Sequence, residues 1–151
     1  MKRPFVIACL LLTSVMPAGT APLTPGGAEA VSRALGSCGD PCTVSRDNGG
    51  RIVDYWYAGN AIREGARKRL VIDGFCASAC MVLADRARPR ACITSRAVFA
   101  YHKTNFNRPL PLSADLRGWI VHRGGFPEFT GTPGIMPNDV ARRFWPQCHS
   151  V

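Results

Sequence analysis

The chain has 151 residues, enough for one domain and too few for two. It carries 19 Lys and Arg against 10 Asp and Glu, a net charge of +9. Arginines such as Arg63, Arg67, Arg86, Arg88, Arg90, Arg123 and Arg142 are scattered, with no Lys/Arg run longer than three and no interleaved aromatic platform, which argues against a nucleic-acid partner and for a solvated basic surface.

The N-terminus is patterned as a bacterial Sec-type export signal. Lys2 and Arg3 precede a mostly apolar run from Pro4 to Met16, and small residues follow. The run is shorter than a membrane span, so a cleaved signal is expected, with no stable membrane insertion after its removal. Cleavage after Ala21 and cleavage near Ala28-Glu29-Ala30 are both open. Residues 1–30 are therefore assigned to signal and leader, and residues 31–151 to a single domain. The Pro/Gly/Ala-rich stretch from Pro22 to about Ala34 reads as a loose leader. The expected location is the periplasm or the outside of the cell.

Cys42-Thr43-Val44-Ser45 has the β-branched character of a short strand and runs into the turn Asp47-Asn48-Gly49-Gly50. Ile52, Tyr55, Trp56, Gly59, Ile62 and Ala66 then recur at three- and four-residue steps, which predicts a helix over about Arg51 to Arg67 with Arg63, Glu64, Arg67 and Lys68 on its polar side. Leu70-Val71-Ile72 reads as a buried strand that breaks at Gly74. A helix of small and apolar residues follows from Ala77 to Ala87, stopped by Pro89. Ala91-Cys92-Ile93 and Val98 to Tyr101 are short strands around a turn. Asn105 to Pro111 is a loop, and Ser113 is placed to cap a helix carrying Leu116, Trp119, Ile120 and Arg123, ended by Gly124-Gly125. Phe126 to Pro137 reads as irregular, and Asn138 as the cap of a last helix from Asp139 to Trp145. Strands alternating with helices argue for a small α/β domain with a mostly parallel sheet. Trp56, Trp119 and Trp145 are expected in the core or at an interface, His122 and His149 at the surface.

Of seven cysteines, Cys9 lies in the signal, leaving Cys38, Cys42, Cys76, Cys80, Cys92 and Cys148. An even number in a small exported chain reads as disulfides, and six cysteines allow fifteen pairings. Cys38 and Cys42 suit a local bond across their turn. A bond from Cys76 or Cys80 to Cys92 would tie the small-residue helix to the next strand, with Cys148 taking a remaining cysteine. Both CxxxC pairs are also spaced for a metal, but no histidine partners them at zinc-site spacing, so no metal is assigned.

Three features converge on one chemistry. The Gly49-Gly50 turn leaves N–H groups open to close approach. Ser78 stands at a helix start, where N–H groups favour negative charge. His102 ends a strand 24 positions further on. Acyl transfer needs a nucleophile, a base for its proton and donors for the oxyanion. Ser78, His102 and the N–H groups of Gly50 (or Gly49) and Ala79 supply one of each, and no cofactor is required. Each residue also has an ordinary reading: Ser is common at helix starts, and a strand-end histidine is most often structural.

At these residues the chain resembles the ClpP/crotonase superfamily, and within it the ClpP-like serine peptidases. Asp47-Asn48-Gly49-Gly50 looks like the turn that supplies the first oxyanion donor. Cys76-Ala77-Ser78-Ala79-Cys80 is similar to the nucleophile segment, and Ala97 to His102 to the strand that delivers the histidine. The resemblance covers about residues 42–103 and implies a ClpP/crotonase-like ββα domain, truncated at both ends. It implies a serine peptidase acting on a peptide or protein, with Ser78 as nucleophile and His102 as general base. The family's triad acid falls near Thr132 in this chain, which is not acidic. Glu128 is the nearest substitute, then Asp139, with Asp115 further off. A Ser-His dyad, a rebuilt triad and a catalytically silent, disulfide-stapled binding or scaffold protein all remain open. A crotonase-type acyl-CoA enzyme fits an exported Ser-His pair least. Short ends leave little chain to cover the helix faces, so a homo-oligomer is an option.

Overall fold

The structure of the protein, a computed structural model, describes residues 25–65 and 69–149. The expected export signal with its Ala21 cleavage point, and Arg67 and Lys68, lie outside them. In chain order the elements are α1 (Pro25–Leu35), β1 (Cys42–Asp47), α2 (Ile52–Glu64), β2 (Leu70–Ala77), α3 (Ala79–Arg86), β3 (Ala91–Ile93), β4 (Val98–Tyr101), α4 (Ala114–His122), β5 (Gly134–Met136) and α5 (Asn138–Ala141).

β2 is the centre of a five-stranded, mostly parallel sheet. β1 pairs along one side of it, in register Cys42 with Leu70 and Asp47 with Cys76. On the other side β3 pairs with the first half of β2 and β4 with the second, so two short strands share one edge. β5 closes that side antiparallel to β4. A strand with neighbours on both sides is expected to be apolar throughout, and Leu70, Val71 and Ile72 are all buried. α3 is buried from Ala79 to Asp85, which its run of small and apolar side chains permits. Trp145 stacks on Phe99 of β4 with ring centroids 4.4 Å apart, and its indole N–H donates to the Ala84 carbonyl at 3.0 Å.

The jog between β3 and β4 is pinned from two sides. Asp73 accepts from the Thr94 hydroxyl at 2.7 Å and from the Arg96 guanidinium. The Arg96 hydrogen bond, followed by that of Thr94, holds the Asp73 carboxyl below its usual range. From the other side the Asn138 amide donates to the carbonyls of Thr94, at 2.6 Å, and Ala97.

The structure corrects several sequence-based expectations. Residues 25–34 are not a loose leader but lie in α1, with Ala30 and Val31 buried; Pro25 at the first helical position is compatible with helix. The helix crosses the boundary drawn at residue 30. β2 does not break at Gly74. It continues to Ala77, and a Cβ at residue 74 would lie 2.0 Å from the Ser45 carbonyl oxygen, beside the register shift between Val44 and Arg46 in β1. The glycine therefore accommodates a bulge rather than ending the strand. Gly134–Met136 is a strand inside the stretch read as irregular. Asn138 does not cap α5, because its side chain is committed to the jog. Ser113 precedes α4 as expected, but its hydroxyl lies 2.7 Å from Asp85 Oδ1 instead of capping a helical N–H.

The six cysteines form three disulfides: Cys38–Cys42, Cys76–Cys80 and Cys92–Cys148. The first is the expected local bond. The expected link from Cys76 or Cys80 to Cys92 is replaced, because the strand-to-helix turn brings Cys76 and Cys80 to a Cα separation of 5.2 Å. Residues 146–148 run beside β3, with Ile93 N–H on the Pro146 carbonyl and Cys148 N–H on the Ile93 carbonyl, which presents Cys148 to Cys92. Three disulfides mark an oxidising, extracytoplasmic setting. Among the described residues no helix is long and apolar enough to cross a membrane.

Candidate active site

A cleft of about 750 Å³ opens at the carboxyl end of β2, the end at which open parallel sheets bind ligands. Gly50, Ser78 and His102, singled out 52 residues apart in the sequence, all line it. Each arrives from a different element: Gly50 from the turn after β1, Ser78 from the junction of β2 and α3, His102 from the residue after β4.

Ser78 has φ 54° and ψ −116°, a region that residues other than glycine rarely occupy. Its N–H donates to Ala100 in β4 at 2.8 Å and its carbonyl accepts from Met81 at 2.9 Å, so the backbone is tied on both sides while the side chain faces the cleft. Gly49, at φ 86°, presses against this corner: a Cβ there would meet the Ala77 oxygen at 2.7 Å and the Ala79 nitrogen at 2.9 Å. Only glycine fits both the backbone angle and the space.

Asp47 and Tyr55 set the glycine turn. Asp47 Oδ1 accepts the Gly49 N–H at 2.7 Å and the Tyr55 hydroxyl at 2.9 Å. Burial, then the Asp47 charge, pushes the Tyr55 phenol well above its usual range, so it remains a donor. The Gly49 N–H is thereby engaged, which corrects the expectation that it could serve an oxyanion. The N–H groups of Gly50 and of Ala79, the first residue of α3, are the two donors left at the corner.

His102 is half-buried, with the Phe129 ring edge-on at 5.2 Å. Its Nδ1 lies 2.5 Å from the Lys103 carbonyl oxygen. A carbonyl only accepts, so Nδ1 carries a proton, and in the neutral ring the lone pair is on Nε2. None of the three carboxylates singled out in the sequence reaches the imidazole. Glu128 pairs with the Lys103 ammonium at 2.5 Å. Asp115 pairs with Arg88 at 2.9 Å. Asp139 is exposed on α5. Among the described residues no carboxylate hydrogen-bonds His102, and no direct hydrogen bond joins it to Ser78.

The cleft walls were not singled out in the sequence. Ile52, Val53, Trp56 and Tyr57 from α2, Phe106 from the β4–α4 loop and Phe129 form an apolar collar around the serine. Val53, Tyr57, Phe106 and Phe129 are exposed, Phe106 at 79 %. Val53 and Tyr57 fall off the helical stripe that faces the core, and large apolar side chains outside that stripe were the available signal. Trp56 lines the cleft, while Arg86 stacks over its ring at 3.3 Å from the centroid.

Comparison with protein-family models, with curated proteins and with solved structures finds no match.

Proposed function

We propose that the protein is an exported serine hydrolase on a ClpP/crotonase-like fold, acting on a peptide or protein substrate in the periplasm or outside the cell. The observation that carries this reading is the Ser78 backbone: a strained, positive-φ serine at a strand-to-helix corner, sharing one cleft with an imidazole whose Nε2 is free. In the reaction Ser78 Oγ attacks the carbonyl carbon of the scissile bond, and His102 Nε2 takes the hydroxyl proton. The Gly50 and Ala79 N–H groups receive the oxyanion. His102 returns the proton to the leaving amine, and water repeats the sequence on the acyl-enzyme. The Lys103 carbonyl orients the ring in place of an acid, a Ser-His dyad.

A fluorophosphonate probe is expected to label Ser78, with no labelling in Ser78→Ala and labelling slowed by about 10²-fold or more in His102→Ala. A wild-type chain that stays unlabelled overturns the reading.

The alternative, a catalytically silent binding protein, is favoured by two observations: the imidazole meets a neutral carbonyl instead of a carboxylate, and no hydrogen bond joins it to Ser78. Apolar peptides that bind wild type and Ser78→Ala equally, with no turnover by either, decide for it.

A further inference from the structure

Ser78 is the single residue between β2 and α3. Among the described residues it and Asn107 are the two non-glycine residues at positive φ. A side chain in that conformation is strained and persists only where its surroundings fix it. Two of the restraints on Ser78 are backbone hydrogen bonds, to Ala100 and from Met81. Each is exchanged against water at small net gain, so together they do not outweigh the strain by a wide margin.

The third restraint is covalent. Cys76 lies in β2 and Cys80 in α3, and their bond closes a ring over Ala77, Ser78 and Ala79. In an extended chain, Cα atoms four residues apart stand about 13–14 Å from each other. Here they stand 5.2 Å apart. The bond therefore closes only over a chain that turns within residues 76–80, as this one does at Ser78. Both cysteines are fully buried, at 0 % exposure, so the ring is part of the core that carries the corner.

We propose that the Cys76–Cys80 disulfide is a positioning device for Ser78: it holds the serine in its positive-φ turn, and the reactivity of Ser78, rather than the fold, depends on it. The effect on reactivity rests on the hydrolase reading; the effect on conformation stands without it. The fold is expected to survive loss of the bond. A five-residue ring constrains the unfolded chain only about half as much as the Cys92–Cys148 loop does, and each Cys→Ala change removes one sulfur from the core.

The test is the double variant Cys76→Ala/Cys80→Ala beside wild type and Cys92→Ala/Cys148→Ala, with two readouts. The first is the rate of fluorophosphonate labelling, with circular dichroism as the check of fold. The expected result is labelling at least tenfold slower in the first variant, with native secondary structure, and an unchanged rate in the second. The second readout is the crystal structure of the Cys76/Cys80 variant, in which residue 78 is expected to leave positive φ. Equal labelling rates, a retained positive φ, or a variant that does not fold each overturn the proposal. A wild-type chain that is not labelled at all counts against the hydrolase reading alone, and the φ of residue 78 in the variant then decides the clamp.

Discussion

The two ends of β2 lie beside disulfides of opposite kinds. At the amino end Cys92, in register with Val71, is bonded to Cys148 across 56 residues of sequence. At the carboxyl end Cys76 is bonded to Cys80 across four. In the loop-entropy picture the long bond stabilises the fold by about 4 kcal/mol and the short one by about 2 kcal/mol. The backbone next to each bond reverses the ranking of interest. Beside the long bond the chain is ordinary parallel sheet. Inside the short one stands the strained serine. One cross-link limits how far the chain can unfold, and the other limits what a single residue can do while the chain is folded. On this proposal stability and site geometry are divided between two disulfides, one beside each end of β2.

The largest expected effect breaks the comparison at its amino end. Cys92→Ala/Cys148→Ala should lower unfolding free energy by about 4 kcal/mol, read by urea denaturation. A loss no greater than that of the Cys76/Cys80 variant would mean that loop length does not rank the two bonds. Next comes Gly49→Ala, which sharpens the other end. Its Cβ would collide with the Ala77 carbonyl at a backbone angle unsuited to alanine, so a loss of about 1–3 kcal/mol is expected together with loss of probe labelling. Normal labelling in a destabilised Gly49→Ala would show that the corner tolerates displacement.

The smallest effect lies away from both ends, at Asp115. Burial raises its carboxyl, but hydrogen bonds from Ser113, Arg88 and the Leu116 N–H outweigh this and leave it at about 2. A carboxyl depressed in the folded state contributes stability above its unfolded value of 3.8 and loses it as pH falls through about 2. Asp115→Asn should therefore flatten the acid limb of stability between these values. The side chain is half-exposed, so solvent screening keeps the change under about 1 kcal/mol. Acid denaturation curves of the two proteins that superimpose would remove Asp115 from the account.

Much of the frame was legible because its patterns are local. The apolar steps of α2, the run Leu70-Val71-Ile72 and the proline after α3 each announce an element by themselves. What was missed depends on contacts remote in sequence. Gly26-Gly27 argues against a helix, yet α1 forms with Ala30 and Val31 buried. Gly134–Met136 is a strand only because β4 offers an edge. Gly74 looked like a strand end because its partner, the bulge at Ser45, is invisible to a local reading. Gly50, Ser78 and His102, singled out by residue type and spacing, line one cleft. The apolar collar was not singled out, since Phe106 and Phe129 stand in loops where no periodicity marks them. The pairing of Cys76 with Cys80 could not be chosen among fifteen connectivities without the turn itself.

The stacking of Arg86 on Trp56 carries an optical consequence. The protein has three tryptophans. Trp145 is sealed against Phe99, and Trp119 packs edge-on to Tyr101. Trp56 alone lines the cleft, with a guanidinium fixed behind its ring. A ligand entering the cleft changes the surroundings of that indole and leaves the other two untouched. The chain thus carries its own emission reporter of occupancy, one that registers binding whether or not a bond is subsequently cut.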